Sequence, residues 1–260
     1  MARRLYEACL SGSVPVLDSL IEEDQFILDR VSSLTGFCND TPLHLAALRG
    51  HLDFTKALLT RKPKLATELD SLRCSPLHLA SAEGHVEVVQ ALLRVNTEVC
   101  VARDQNGRIP LHLAAMKGRV EIIRELLGAK PNSIHEKLST WETVLHLCVK
   151  YNKLEALKTL VRYVQSNDME SLLNSRDDDG NTILHLAAAL KQMDTIEYLL
   201  GTKSVKDHAN VRNHNGSTAL DLVGNCRSEA GCISRFWTKY IKVDPVWLHE
   251  VEVGRDYPGL

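Results

Sequence analysis

One short apolar motif recurs along this chain at a nearly fixed interval, and that interval limits the possible folds more than any other feature. Each copy is a Leu-His-Leu core preceded by Pro or a β-branched residue, and the copies begin at Thr41, Ser75, Ile109, Thr143 and Thr182. The first three steps are 34 residues each and the last is 39. Periods of roughly 20 to 50 residues indicate stacked repeats that share one continuous core. The sequence therefore predicts a repeat array, a kind of fold that mostly presents a surface.

Each copy predicts a pair of helices. Proline suits the first helical position in three copies, and the hydroxyl residue before it can cap the helix. Ile109 replaces that hydroxyl residue in the third copy, at an expected cost of about 1 kcal/mol. Glycine closes the first helix in four copies at least conformational cost, as Gly12, Gly50, Gly84 and Gly118. A second amphipathic helix follows, and the extra residues of the long last step, around 162–171, are expected in a longer loop after it.

Turn-forming residues link one helix pair to the next. Asp104-Gln105-Asn106-Gly107 and Asp177-Asp178-Asp179-Gly180 have strong turn composition and predict β-hairpin-like fingers. Three other fingers carry Asn39, Arg73 and Trp141 at the position of the closing glycine. We therefore expect those three fingers to differ in shape from the glycine-containing ones.

The ends of the array depart from the repeat. Residues 1–38 form a degenerate copy with a polar residue in place of the histidine, as a capping repeat requires. Residues 39–215 contain five full repeats, and residues 216–225 form a terminal half repeat in which Asp221 replaces the histidine. The aromatic-rich segment 226–260 shows no repeat. A cover over the end of the array, an atypical or truncated end and a membrane-surface anchor remain as interpretations of it.

Composition argues against several classes of function. A net charge of −2 provides no basic footprint for a nucleic-acid partner. No apolar run approaches the roughly 20 residues that span a bilayer, and the first residues lack the apolar region of a signal peptide. Seven cysteines without a ligand spacing favour a reducing compartment. No Ser-His-Asp order, phosphate loop or HExxH pattern occurs, so we expect no enzyme activity, catalytic residue or cofactor.

The five Leu-His-Leu cores resemble the ankyrin-repeat family over about residues 3–225. The resemblance implies an all-α solenoid of helix-turn-helix units with β-hairpin-like fingers. Residues 5–8, 28–31 and 145–150 are further similar to a plant group, the bian-da-type and accelerated-cell-death-type ankyrin proteins. That group acts in immune signalling at membranes and usually carries a transmembrane PGG domain after the repeats, which these 260 residues do not contain. The resemblance implies either a cytoplasmic adaptor in plant defence or the cytosolic half of a regulator at the plasma membrane.

The repeated histidines are the first candidates for a metal site. They are His44, His78, His112, His146 and His185. Successive rings are expected about 10 Å apart, the spacing of packed helices, which is too far for one ion. The ankyrin resemblance implies instead that each ring forms a hydrogen bond between a finger and a helix. We therefore predict structural histidines and no metal site.

The ankyrin resemblance also implies where a partner binds. In that family the partner-facing positions are the finger tips and the two residues before the helix-ending glycine, which share one concave strip. The predicted partner-binding residues are Phe37, Leu48, Arg49, Leu72, Glu83, Arg108, Met116, Lys117, Glu142, Lys150 and Tyr151. Exposed apolar and aromatic groups in one strip are typical of binding hot spots. We therefore expect a monomer that binds another protein on its concave face and finger tips.

Overall fold

The computed structural model describes residues 1–31 and 41–224. Its internal contacts divide the chain into two compact units, Met1–Ser139 and Thr140–Leu260, and each unit is described by itself. The described residues form helices and turns, with no β-strand among them. This confirms the all-α repeat class, and the fingers are hairpin-like turns rather than paired strands. Cys38, Phe37 and the aromatic-rich segment 226–260 lie outside the described residues.

The first unit consists of short helix pairs separated by turns. Its α-helices are α1 (Ala2–Ser11), α2 (Val14–Glu23), α3 (Ile27–Val31), α4 (Pro42–Arg49), α5 (Leu52–Arg61), α6 (Pro76–Glu83), α7 (Val86–Val95), α8 (Pro110–Lys117) and α9 (Val120–Ala129). Single 3₁₀ turns follow the second helices, at Pro63–Thr67, Glu98–Val101 and Pro131–His135. Each proline-initiated first helix begins at the residue that the sequence indicated.

Like helices stack on like helices in the first unit. The first helices α1, α4, α6 and α8 pack in series, and so do the second helices α5, α7 and α9. The motif leucines Leu43, Leu77 and Leu111 are fully buried between the layers, and burying such a side chain contributes about 1.5–3 kcal/mol. Buried alanines such as Ala46 and Ala80 let neighbouring helices approach closely.

The second unit repeats the arrangement with one longer helix. Its elements are α10 (Val144–Lys150), α11 (Leu154–Ser166), a 3₁₀ turn (Glu170–Asn174), α12 (Ile183–Ala189), α13 (Met193–Gly201), α14 (Lys203–Asp207) and α15 (Ala219–Gly224). Helices α10, α12 and α15 stack in series. The expected longer loop is wrong in part, because three of the extra residues extend α11 to 13 residues, against 10 in α7. Cys148 occupies a fully buried small-residue position, and burial raises the pKa of its thiol.

Candidate functional site

Four described fingers are turns organised by an Asp or Asn side chain at their start. Asp70 Oδ1 accepts hydrogen bonds from the backbone N–H groups of Leu72, at 2.8 Å, and Cys74, at 2.7 Å. Asp104 Oδ1 accepts the two equivalent bonds one finger later, at 2.8 Å each. Turn composition predicted the fingers, but it did not predict that an aspartate side chain accepts the backbone hydrogen bonds of its own turn. The signal in the sequence was the Asp or Asn that starts these four turns, whereas Leu138 starts the Trp141 finger.

A left-handed residue closes the fingers whether or not it is glycine. Gly107 and Gly180 have φ angles of 73° and 76°, and Arg73 and Trp141 have φ angles of 60° and 58°. The Arg73 finger closes with a 2.9 Å backbone hydrogen bond, as the Gly107 finger does. The prediction of a different finger shape is therefore wrong for Arg73. Trp141 adopts the φ angle of the glycine residues, in a finger that starts with Leu138. Asn39 lies outside the described residues.

Backbone hydrogen bonds link consecutive fingers within each unit. In the first unit, the N–H of Gln105 donates to the carbonyl oxygen of Leu72 at 2.9 Å. In the second unit, the N–H of Asp178 donates to the carbonyl oxygen of Thr140 at 3.1 Å, and a 3.0 Å bond continues the row into the terminal half repeat. The finger tips of each unit therefore lie side by side and present one continuous edge.

Histidine rings bridge the first helices of the first unit to the following finger. His44 Nε2 lies 2.9 Å from the carbonyl oxygen of Cys74, and His78 Nε2 lies 3.0 Å from that of Arg108. Nδ1 of each ring accepts hydrogen bonds from the backbone N–H and the hydroxyl of the residue before the helix. The hydroxyl therefore donates to the ring, and the hydroxyl residue and the histidine together form a capping box at the start of each helix. This arrangement puts the ring proton on Nε2.

His112 makes the same kind of bridge without a hydroxyl. The N–H of Ile109 donates to His112 Nδ1 at 3.2 Å, and His112 Nε2 lies 3.1 Å from the carbonyl oxygen of Glu136. The Ile109 side chain is fully buried. Burial of an isoleucine contributes about 1.5–3 kcal/mol, which offsets the expected cost of the missing hydroxyl.

The second unit contains two such bridges and a terminal variant of them. His146 Nε2 and His185 Nε2 each lie 3.2 Å from a carbonyl oxygen of the next finger. In the terminal half repeat, Asp221 Oδ2 accepts from the N–H of Thr218 at 2.7 Å, and the N–H of Asp221 donates back to Thr218 Oγ1 at 3.2 Å. A carboxylate can cap the helix in this way, but it has no N–H with which to reach a further finger.

Burial favours the neutral form of three bridging rings. It lowers the pKa of His112 to about 4, and it lowers the pKa values of His78 and His185 below their ordinary value. Protonation at Nδ1 would remove an acceptor and place a charge in the core. A ring whose two nitrogens both bond to protein groups offers no lone pair to a metal ion. The geometry is that of a structural histidine.

A second tie between repeats of the first unit was missed by sequence reasoning. His85 follows the helix-ending Gly84, and its Nε2 lies 3.1 Å from the carbonyl oxygen of Leu48 in the preceding repeat. A Cβ atom at Gly50 would lie 2.5 Å from this ring. His51 and Arg119 make the equivalent bonds, at 2.9 and 3.1 Å. The available signal was a long polar side chain directly after each glycine.

The predicted partner-binding residues of the first unit lie at the finger tips and in the last turns of the first helices. Leu48 is exposed, and Leu72 exposes 50% of its surface. Met116 and Arg108 are half-buried, and the Arg108 guanidinium pairs with the aspartate of its own finger at 2.7 Å. The exposed charged members are Arg49, Glu83 and Lys117. Phe37, also predicted, lies outside the described residues.

In the second unit, one predicted partner contact needs correction. Tyr151 exposes 44% of its surface, and Lys150 is exposed. Glu142 is only 8% exposed, and its carboxylate accepts hydrogen bonds from Lys150 Nζ at 2.8 Å and Thr140 Oγ1 at 2.9 Å. The bond to Glu142 raises the pKa of Lys150. Glu142 therefore positions its neighbours and does not present a carboxylate to a partner.

The second unit has two further exposed apolar residues, of which Trp141 was not predicted and Leu190 occupies the predicted position before the helix-ending residue. Trp141 exposes 60% of its surface at a finger tip, and Leu190 is exposed at the end of the first helix of its repeat. Their counterparts in other repeats are mostly glycine or charged residues. An apolar residue at a position that other repeats fill with small or charged residues was the available signal.

Comparison with known proteins agrees with this geometry. The family described as ankyrin repeats (3 copies) matches residues 5–103, 65–135, 87–171 and 145–229. This chain belongs to the ankyrin-repeat family. Ankyrin repeats mediate protein–protein interactions, which gives this chain a protein-interaction role.

An individual ankyrin-repeat relative extends the comparison. The ankyrin repeat-containing protein BDA1 of Arabidopsis thaliana is 50% identical over 228 residues, which are 86% of this chain and 53% of the relative. The chain therefore spans about half the length of that relative. Within 1–31 and 41–224, none of the helices combines the length and apolarity that a membrane crossing requires.

Proposed function

We propose that this ankyrin-repeat chain is a non-enzymatic adaptor that binds another protein through its concave face and finger tips. One observation supports this most directly. Scaffold positions are uniform and buried in each repeat, whereas the position before the helix-ending residue is exposed and holds a different residue type every time. It holds, in order, Arg49, Glu83, Lys117, Tyr151 and Leu190. Such variation on a constant scaffold provides specificity for one partner.

The apolar members of this surface supply binding energy. Leu72 lies at a finger tip and Leu48 at the end of α4, and both are exposed although large aliphatic side chains are usually buried. Charged neighbours such as Arg49 and Lys117 would form the polar rim. An exposed apolar centre with a charged rim is the usual anatomy of a protein interface.

The biological setting is part of the proposal. Identity of 50% with an Arabidopsis ankyrin-repeat protein supports a role in plant immune or stress signalling. We place the chain in the cytoplasm as a monomer that uses one partner surface.

A membrane-associated regulator is the second candidate. The observation that favours it is the length of the relative, of which this chain covers 53%. Flotation with liposomes, using the chain with and without residues 226–260, tests whether that segment anchors to lipid. Flotation that requires this segment supports the membrane-associated regulator. If the full chain does not float, the result supports the cytoplasmic adaptor.

The adaptor proposal is tested by charging the apolar surface. Proximity labelling in plant cells identifies partners, and the purified partner is then bound to wild type and to the double variant Leu72→Glu/Met116→Glu. We expect unchanged circular dichroism and loss of binding, because desolvating two carboxylates opposes association. The matched control is Val16→Glu/Val95→Glu, at exposed positions in α2 and α7, and it should bind normally. Full binding by the Leu72/Met116 variant would rule out this surface.

A further inference from the structure

The finger that carries Trp141 has a large aromatic side chain at its tip. Trp141 adopts a φ angle of 58° and leaves 60% of its surface exposed. Gly107 and Gly180 hold the same position in other fingers. Side chains other than glycine are strained in this conformation, and tryptophan is normally among the more buried residues. A large indole that is exposed at a finger tip is well suited to contact a partner.

A second aromatic residue belongs to the same part of the unit. Glu142 follows Trp141 in the chain, and Tyr151 follows Lys150. The 2.8 Å bond from Lys150 Nζ to the Glu142 carboxylate therefore holds these two segments together. Tyr151 and Leu190 occupy equivalent positions at the ends of α10 and α12, which pack against each other. We call Trp141, Tyr151 and Leu190 the aromatic patch.

The finger next to the aromatic patch is negatively charged. The N–H of Asp178 bonds to the carbonyl oxygen of Thr140, directly before Trp141, at 3.1 Å. Asp178 and Asp179 are exposed, and their carboxylates lie within 4.8 Å of each other and of Asp177.

The negative charge of this finger comes from its exposed carboxylates. The oxygens of Asp177 accept hydrogen bonds from its own turn, so the outward charge comes from Asp178 and Asp179. Lys150 is paired with Glu142, and the nearby Asp177 also contributes to the raised pKa of Lys150. The tip beside Trp141 therefore favours a cation.

We propose that the aromatic patch binds a partner segment in which a Lys or Arg side chain stands beside an apolar one, with Trp141 as the residue that determines specificity. The cation packs on the indole face and is attracted by Asp178 and Asp179, while the apolar side chain covers Tyr151 and Leu190. This rests on the proposed adaptor function and names the chemistry of its partner. An acidic segment is repelled by the same carboxylates.

The chain offers matched variants for the test. Trp141→Gly removes the indole and leaves the residue found in the Gly107 finger, so the turn is retained. Arg73→Gly makes the same backbone change in a finger of the first unit, which carries no part of the aromatic patch. Asp178→Asn/Asp179→Asn removes the charge and leaves Asp177, which builds the turn.

The experiment selects displayed random peptides on the full wild-type chain. The enriched peptides are then titrated against the variants by fluorescence anisotropy. We expect Lys and Arg to exceed Asp and Glu in the enriched peptides. Affinity should fall about tenfold or more with Trp141→Gly, severalfold with Asp178→Asn/Asp179→Asn, and not at all with Arg73→Gly. Peptides without excess basic residues, or a selection that yields none sensitive to Trp141→Gly, would overturn the proposal.

The same variants separate this proposal from the adaptor function. The partner found by proximity labelling is bound to Trp141→Gly and to Leu72→Glu/Met116→Glu in parallel. Loss of binding only in the Leu72/Met116 variant leaves the adaptor function standing and contradicts a role for Trp141. Full binding by both variants contradicts the adaptor surface itself.

Discussion

The two units end their first helices in different ways. In the first unit the helix-ending residue is glycine, as at Gly50 and Gly84, with φ angles of 75° and 92°. In the second unit the same position holds Asn152 and Lys191, each with a φ angle of 53°. The backbone conformation is the same, and only the first unit fills it with the residue that adopts it without strain.

The side chain of the next repeat explains the difference. In the first unit the rigid ring of His85 lies over Gly50, where a Cβ atom would lie 2.5 Å away. In the second unit Gln192 makes the corresponding tie, with its Nε2 donating to the carbonyl oxygen of Val149 at 2.7 Å. The flexible side chain of Gln192 can move aside for a side chain such as that of Asn152, whereas the rigid ring of His85 cannot. Glycine at Gly12 and Gly50 is therefore required by the histidine ring of the neighbouring repeat as well as by its own φ angle.

The largest expected effect comes from filling that space in the first unit. Gly50→Ala should lower the free energy of unfolding by about 2–4 kcal/mol, because left-handed strain adds to the displacement of the His85 ring. Asn152→Ala, which meets no ring, should cost about 1 kcal/mol. Urea unfolding followed by circular dichroism measures both.

A double-mutant cycle isolates the steric part of this effect. In a His85→Ala background the space above Gly50 is empty, so Gly50→Ala should there cost only the left-handed strain of about 1–2 kcal/mol. An equal cost in both backgrounds would show that the ring does not matter.

A second prediction concerns how the stability of the fold responds to acid. His112 in the first unit binds a proton in the unfolded chain near its ordinary pKa of 6.5, but in the folded chain only near a pKa of about 4. Between these values the unfolded state holds more protons, so stability falls as pH falls. Arg103, Asp104 and His78 face this ring, and burial is the main cause. We expect a loss of about 2 kcal/mol from about pH 7 to about pH 5.

The matched variant for acid sensitivity is His112→Gln. Glutamine offers one acceptor and one donor but does not titrate, so the variant should unfold with a flatter pH dependence. His185→Gln makes the same test in the second unit, where burial also lowers the histidine pKa. An unchanged slope in His112→Gln would contradict the assignment of the acid response to this ring.

A smaller effect concerns a buried hydroxyl. Ser81 lies in α6 at a position held by Ala188 in the second unit, and both are fully buried. Among the described residues Ser81 Oγ has no hydrogen-bond partner. Ser81→Ala should therefore raise stability by about 1 kcal/mol, measured by thermal unfolding.

The control for this prediction is a buried serine whose hydroxyl is used. Ser75 Oγ lies 2.8 Å from His78 Nδ1. Ser75→Ala should lower stability by about 1 kcal/mol. If Ser81→Ala also lowers stability, the hydroxyl of Ser81 makes a contact that the protein needs.

Sequence could predict what depends on neighbours within one repeat. The helix pairs, the buried Leu43 and Ala46, and the glycine caps follow from local apolar spacing and backbone preference. The tie from His85 to Leu48 could not be predicted in this way, because it depends on a ring reaching a repeat 37 residues away. The burial of Glu142 was also not predicted, because its contact with Lys150 lies within one repeat but is not part of the apolar spacing.

The conformation of Trp141 shows the same limit at the candidate site. Local preference favours glycine in a left-handed turn, so a tryptophan there predicted a different turn. The bond from the Asp178 N–H to the Thr140 carbonyl oxygen joins this finger to the next, and the backbone keeps the φ angle of a glycine finger. Contacts between repeats therefore override local preference, and those contacts are not visible in a single repeat's sequence.

The smallest effect is a gain in stability from placing glycine at a helix-ending position, and only the second unit lacks glycine there. Asn152→Gly should raise stability by about 0.5–1 kcal/mol, because relief of left-handed strain exceeds the added freedom of the unfolded chain. Arg162→Gly, at an exposed position within α11, adds the same freedom without relieving strain and should cost about 1 kcal/mol. If both substitutions destabilise equally, Asn152 is not strained. In that case left-handed strain does not distinguish the two units. The His85 ring alone would then explain why glycine is kept at Gly50.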